Sequence, residues 1–178
     1  MPDSESAAPK SGIIDRLTTL IGNVAAWLSI LMAVITAAVV VMRYAFGEGS
    51  IALQESIFYL HSAIFMLGAA YALHCGAHVR VDVFYQRFSP CTQAWVNAIG
   101  GVIFLLPLCG FITLVSWEFV VNAWHIKEVS PDAGGLPFVF LLKTLIPILG
   151  VTLALQGLAD ISRQLSTLSR HYGDNQHG

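Results

Sequence analysis

The sequence predicts an all-α integral membrane protein with four transmembrane helices and short amphipathic helices at the membrane interface. Three observations carry this. The 178-residue chain is 56% hydrophobic and only 11% charged, where a soluble domain carries about a quarter charged residues. Its mean hydropathy is +0.69. The apolar residues gather into four runs, each long enough at 1.5 Å per residue to cross a hydrocarbon core of about 30 Å. Long continuous runs are helical, because a barrel strand alternates polar and apolar positions over about ten residues.

The elements follow in order. SGIIDRLTTLIGN places Ile13, Ile14, Leu17, Leu20 and Ile21 at helical spacing, with Asp15, Arg16 and Thr18 on another face. That pattern predicts a helix lying in the interface, within a cytoplasmic N-terminus over 1–23. Span one is charge-free from Val24 to Met42 and ends at Arg43. It is longer than the roughly 7–15 apolar residues of a cleaved signal, and the acidic start MPDSESAAPK is unlike one. Span two runs from Ile51 to Leu73, with Glu55 and His61 inside it. The segment DVFYQRFSP then predicts a second interfacial helix, capped by Asp82 and ended by Ser89-Pro90. Span three, Ala94 to Trp117, is bounded by Trp95 and Trp117, which read as headgroup-level anchors. Span four, Leu136 to Leu158, is interrupted by Lys143. The transmembrane domain therefore covers 24–161 and a cytoplasmic tail 162–178, disordered after Arg170.

Orientation follows from Lys and Arg in the short flanks. Lys10, Arg16, Arg80, Arg87, Arg163 and Arg170 fall on one side, while the other carries Arg43 and Lys127 beside Glu48, Glu118, Glu128 and Asp132. Both termini are therefore expected in the cytoplasm. No basic patch interleaved with aromatics is present, so nucleic acid is not an expected partner; membrane lipid is.

Several sites invite a chemical reading. HCGAHVRVD, His74 to Asp82, holds two histidines, a cysteine and an aspartate. Yet Gly76 interrupts the helix face that His74 and His78 would share, Arg80 adds positive charge, and no third ligand is fixed. The stretch reads better as a membrane-exit turn: Gly76 loosens the helix end, Arg80 meets headgroups and Asp82 starts the interfacial helix. His78 is then expected to bond a helix-end carbonyl or a neighbouring subunit. A small redox protein binding haem or quinone is the alternative from another class. It is disfavoured because His61 has no histidine of matching depth on another span. A thiol oxidase needs paired cysteines, whereas the three here, Cys75, Cys91 and Cys109, form no such pair. With no phosphate-binding loop, carboxylate pair or nucleophile–base arrangement, no catalytic, cofactor-binding or metal-ligating residue is assigned. Inverted repeats of the kind transporters carry are not visible either.

Glu55 and Lys143 are ionisable groups inside spans, at matching depth from the same side. Two readings stand. Each side chain snorkels outward to the interface, or the two form a buried pair that fixes bundle register or a partner contact. Small residues recur at four-residue spacing: Ser29, Ala33 and Ala37; Gly68, Ala72 and Gly76; Gly150 and Ala154. Such stripes let helices approach closely in lipid. Four helices cannot use every stripe internally, so a larger partner is expected. Pro107 and Pro147 are expected to kink spans three and four.

Two segments resemble the small permease subunit of TRAP (tripartite ATP-independent periplasmic) transporters, the DctQ type. In Leu53 to Pro90 the matching positions are Glu55, Leu67-Gly68-Ala69-Ala70 and His78-Val79-Arg80-Val81-Asp82. In Glu128 to Ile161 they are Gly135-Leu136-Pro137, Lys143, Ile146-Pro147 and Gln156-Gly157. Many family members begin span two with adjacent glutamates, where this chain has Gln54-Glu55. The resemblance implies a scaffold for a large permease subunit that carries the substrate and sodium sites. It implies a periplasmic solute-binding protein that delivers an organic acid, with uptake driven by the ion gradient. Glu55, Gly68, Ala72, His78, Arg80, Asp82, Gly135, Pro137, Lys143 and Pro147 are then the candidate structural or partner-interface residues. The segment Lys127 to Leu136 is the candidate docking edge. Spans one and two supply the bracing surface, and Pro137 opens span four, where a missing N–H costs little.

Overall fold

The computed structural model describes residues 13–76 and 88–174. His78, Arg80 and Asp82, with the interfacial helix expected to start at Asp82, lie outside the described residues. Helix α1 (Ile13–Val41) continues through a π-helical turn, Met42–Phe46. Helix α2 spans Ile51–His74, α3 spans Pro90–Gly100, a second π turn covers Gly101–Leu105, α4 spans Leu106–His125 and α5 spans Val139–Asp174. Among the described residues, four stretches are long and apolar enough to cross a membrane: Ile13–Phe46, Ile51–His74, Cys91–His125 and Val139–Ser166. The chain is an all-α, multi-pass membrane protein.

The spans outrun the apolar cores that define them in sequence. The expected interfacial helix over 13–21 is not separate; it is the first part of α1. Asp15 and Thr18 of its polar face are buried, while Arg16, Ile13, Leu17 and Leu20 stay exposed. Gly22 does not break the helix. A Cβ there would run into the ring of Tyr71 on α2, so its bare backbone marks a close helix crossing.

Caps define the other ends. Ser50 accepts from Leu53 N at 3.4 Å and starts α2. Gly76, at φ +65°, takes the left-handed conformation that stops it, and its N–H donates to Leu73 O at 3.0 Å. Ser89 and Pro90 open the next helix. Ser89 Oγ accepts from Thr92 N at 3.3 Å, and Pro90 sits in the first turn of α3. Pro137 lies just ahead of α5 rather than inside it.

Pro107 explains the second π turn. A proline ring clashes with the carbonyl four residues back and supplies no N–H. The chain opens into a wider turn, and Leu106 N–H bonds Gly101 O five residues back. The helix then continues to His125, about 12 Å beyond Trp117 at 1.5 Å per residue. Trp117 is therefore an outward side chain in the body of the span and not its terminal anchor. Pro147 lies inside an unbroken α5, which runs past Ile161 and Arg170 to Asp174, where a disordered tail was expected.

Helix α5 is the hub, packed on α2, α3, α4 and α1, while α1 leans chiefly on α2. Small residues make the α5 seam. A Cβ on Gly150 would meet Thr113 Oγ1 and, at 3.0 Å, Cys109 O; one on Gly157 would meet Leu105 at 2.6 Å; one on Gly101 would meet Ile161 at 2.9 Å. Backbones therefore approach closely along the whole seam, where dispersion rather than hydrophobic exclusion holds helices together in lipid. The buried apolar side chains are correspondingly small, among them Ala70, Ala94, Ala98, Cys109 and Ala123.

Candidate functional site

Two polar clusters close the bundle, one at each end. At the first, the α4–α5 connection folds onto the start of α2. Ser130 Oγ donates to Glu55 Oε1, and Leu136 N donates to Glu55 Oε2 at 2.6 Å. Ser130 Oγ also accepts from Asp132 N at 3.2 Å, and Gly135 N donates to Asp132 O at 3.0 Å. Gly134, at φ +85°, turns the chain. Gly135 leaves room for the carboxylate, since a Cβ there would sit 2.6 Å from Glu55 Oε1 and against Ser130 Oγ. Glu55 thus latches a turn that helical bonds alone would leave unsupported.

Lys143 belongs to the same end but not to Glu55. Its Nζ donates to Glu128 Oε1 and Oε2 at 2.7 and 2.5 Å, and it lies 3.9 Å from the centroid of Phe119. The proposed Glu55–Lys143 pair does not form, and neither side chain simply reaches outward. Both are partly buried and bonded to the intervening connection. Beside them, Trp124 Nε1 donates to Thr144 Oγ1 at 2.9 Å, and Trp124 packs edge-on against Phe140 at 4.7 Å. Lys127 Nζ lies 4.9 Å from the centroid of Trp124.

At the opposite end three helices converge on Gln156, which is fully buried. Thr18 Oγ1 donates to Gln156 Oε1 at 2.8 Å. Gln156 Nε2 lies 3.2 Å from Asp160 Oδ1, 3.2 Å from His74 Nδ1 and 3.5 Å from Asp15 Oδ1. Arg163 donates to Asp15 Oδ1 at 2.6 Å and also to Asp160. His74 Nδ1 is 3.2 Å from Asp15 Oδ1. With a proton on Nδ1, His74 donates to Asp15 Oδ1; without one, Nδ1 accepts from Gln156 Nε2.

A cavity of about 500 Å³ opens beside this cluster, lined by Phe104, Leu105 and Leu108 together with Asp160 and Arg163. Those two charges already engage each other. Among the described residues no three His, Cys, Asp or Glu side chains converge to hold a metal.

Of the residues singled out from sequence, Glu55 and Gly135 meet, and Lys143 lies on the same end. Gly68 and Ala72 lie on α2; a Cβ on Gly68 would meet nothing within 4 Å, so that glycine is not packing inside the chain. Pro147 lines a separate apolar pocket with Trp117, Val120 and Trp124. The Gln156 cluster was missed. Asp15 read as part of the polar face of an interfacial helix, Arg163 as a flank charge setting orientation, and Gln156 only as part of a motif. The Asp160–Arg163 spacing of three was the available signal.

No significant match appears among curated proteins or among solved structures. One family does match. Its description reads "Tripartite ATP-independent periplasmic transporters, DctQ component", and it aligns with residues 32–167, from mid-α1 through the Gln156 cluster. That range covers well over half of the chain and takes in both segments whose residues carried the resemblance, so the chain belongs to the DctQ-component family and is a small membrane subunit of a TRAP transporter.

Proposed function

We propose that this subunit is a non-transporting scaffold. It braces the large permease subunit during sodium-coupled, binding-protein-dependent uptake of an organic acid. The supporting observation is a bundle pinned at both ends and bare between them. The Gln156 cluster ties α1, α2 and α5 at one end, and Glu55 ties α2 to the α4–α5 turn at the other. Between the clusters Trp27, Val34, Phe58, Phe65 and Leu114 are each more than half exposed. A stiff body with apolar flanks suits bracing of a moving partner within the bilayer.

The membrane is the bacterial inner membrane, with both termini cytoplasmic. The Asp15–Arg163 bond supports this by holding the start of α1 and the far part of α5 at one end, where the flanking arginines concentrate. The turn latched by Glu55 then faces the periplasm and offers Lys127 to Leu136 to the solute-binding protein. Purification of the tagged chain from its native membrane tests the reading. The large permease subunit, identified by mass spectrometry, should accompany it; a preparation without that subunit would overturn the scaffold role.

A further inference from the structure

Helix α2 carries a polar side chain that the bundle does not use. His61 stands ten residues after Ile51 and thirteen before His74, so it lies about 15 Å from one end of the helix and about 20 Å from the other. It is exposed, and among the described residues it has no hydrogen-bond or ion-pair partner. Its direction is fixed by its neighbours. Ala70, nine residues on and therefore half a revolution away, is the fully buried position of α2. Phe65, Gly68 and Ala72 follow His61 at steps of four, three and four, so they share its face. Phe58 flanks them and is 67% exposed; Phe65 is 66% exposed. Gly68 has open space where a Cβ would be.

Lipid tails cannot cover this face properly. A neutral imidazole holds one donor and one acceptor, and the hydrocarbon midplane offers a partner for neither. A side chain of this kind within a span marks contact with protein or a water-filled cavity. The relief around it is that of a helix-packing surface: two phenylalanine knobs, and a recess at Gly68 where a second backbone fits.

We propose that the His61 face of α2 is the seat of a transmembrane helix of the large permease subunit. That helix supplies a hydrogen-bonding side chain to His61 near the middle of the membrane. This rests on the scaffold role proposed above and assigns it a surface. Phe58 and Phe65, two turns apart on one flank, pack along the partner helix, Gly68 and Ala72 let it approach, and His61 sets its depth and register. The fixed end clusters keep α2 from rotating this face away.

The test uses the whole transporter in its native membrane. A benzoylphenylalanine photocrosslinker replaces Phe65 in one strain, Phe58 in a second and, as a control on α4, Leu114 in a third. The α2 probes should join the large permease subunit, identified by mass spectrometry, and the Leu114 probe should not. His61→Leu should lower recovery of that subunit by about fivefold, the order of one interhelical hydrogen bond in lipid, and His61→Gln should restore part of it. If the wild-type chain recovers the large subunit while both α2 probes mark only lipid or a second copy of this chain, the assigned face is wrong and the scaffold role stands. Unchanged recovery with His61→Leu would overturn the polar anchor. A wild-type chain that recovers no large subunit removes the scaffold role and this surface with it.

Discussion

The guanidinium of Arg163 reaches the carboxylate of Asp15 at 2.6 Å, joining the first and last helices across 148 residues of chain. Around it stand two carboxylates, one guanidinium and one imidazole, with Gln156 buried among them. A charge held this far from water depends on its partners.

Removing Arg163 is therefore expected to hurt more than removing either acid alone, because two carboxylates then face each other. Arg163 remains one-third exposed, so water discounts the loss. Arg163→Met should destabilise the bundle by about 2 kcal/mol, against about 3–5 kcal/mol for a fully buried pair. Asp160→Asn should cost less than Arg163→Met, since the Asp15 contact survives. Denaturant-induced loss of helix, read by circular dichroism of the purified chain, gives the ranking; equal effects would deny the cluster its charge logic.

Glu55 gives a second expectation, read at a single amide. Both of its oxygens accept bonds, from Ser130 Oγ and Leu136 N. Glu55→Gln keeps the shape but leaves only one oxygen to accept. The loss should be about 1–3 kcal/mol, felt in the turn rather than the bundle. Hydrogen exchange at Leu136 should accelerate about tenfold or more, while amides beside Ala70 on α2 stay protected. Gly135→Ala should have a similar local effect, because the added carbon collides with the same carboxylate.

Span number and helical class were legible in the sequence; span facing was not. A run such as Val24 to Met42 leaves no choice in lipid except a helix. The flanks were harder. Residues 13–21 have the pattern of an interfacial helix, and only packing against Tyr71, His74 and Gln156 turns Asp15 and Thr18 inward. Depth also misled. Glu55 and Lys143 lie at similar heights, but the connection between α4 and α5 supplies each with a nearer partner, Ser130 and Glu128. Likewise Gly68 and Gly150 look alike in sequence, though one faces open space and the other the carbonyl of Cys109.

That last contrast gives a third expectation. Gly150→Ala inserts a carbon 3.0 Å from a backbone oxygen and against Thr113 Oγ1. Thr113 can rotate, but the Cys109 carbonyl cannot, so the helices must separate. The cost should be about 1–3 kcal/mol, the range for overpacking. Gly68→Ala should leave the purified chain unchanged or slightly more stable, as alanine is the better helix former. Thermal unfolding of the two variants side by side decides, and equal losses would contradict the separation of inner and outer stripes.

The fourth expectation concerns which acid Lys143 serves. Its ammonium sits 2.5 Å from Glu128 and over the Phe119 ring, with four-fifths of the side chain shielded. Lys143→Glu places a second anion beside Glu128 and should destabilise the α4–α5 corner. Adding Glu128→Lys restores opposite charges across the same gap and should recover about 1 kcal/mol of coupling. Adding Glu55→Lys should recover nothing, because Glu55 is bonded to the turn and a lysine there breaks two bonds. A double-mutant cycle on unfolding free energy separates the cases. Rescue by the Glu55 exchange and not by the Glu128 exchange would restore the pairing that depth alone suggests.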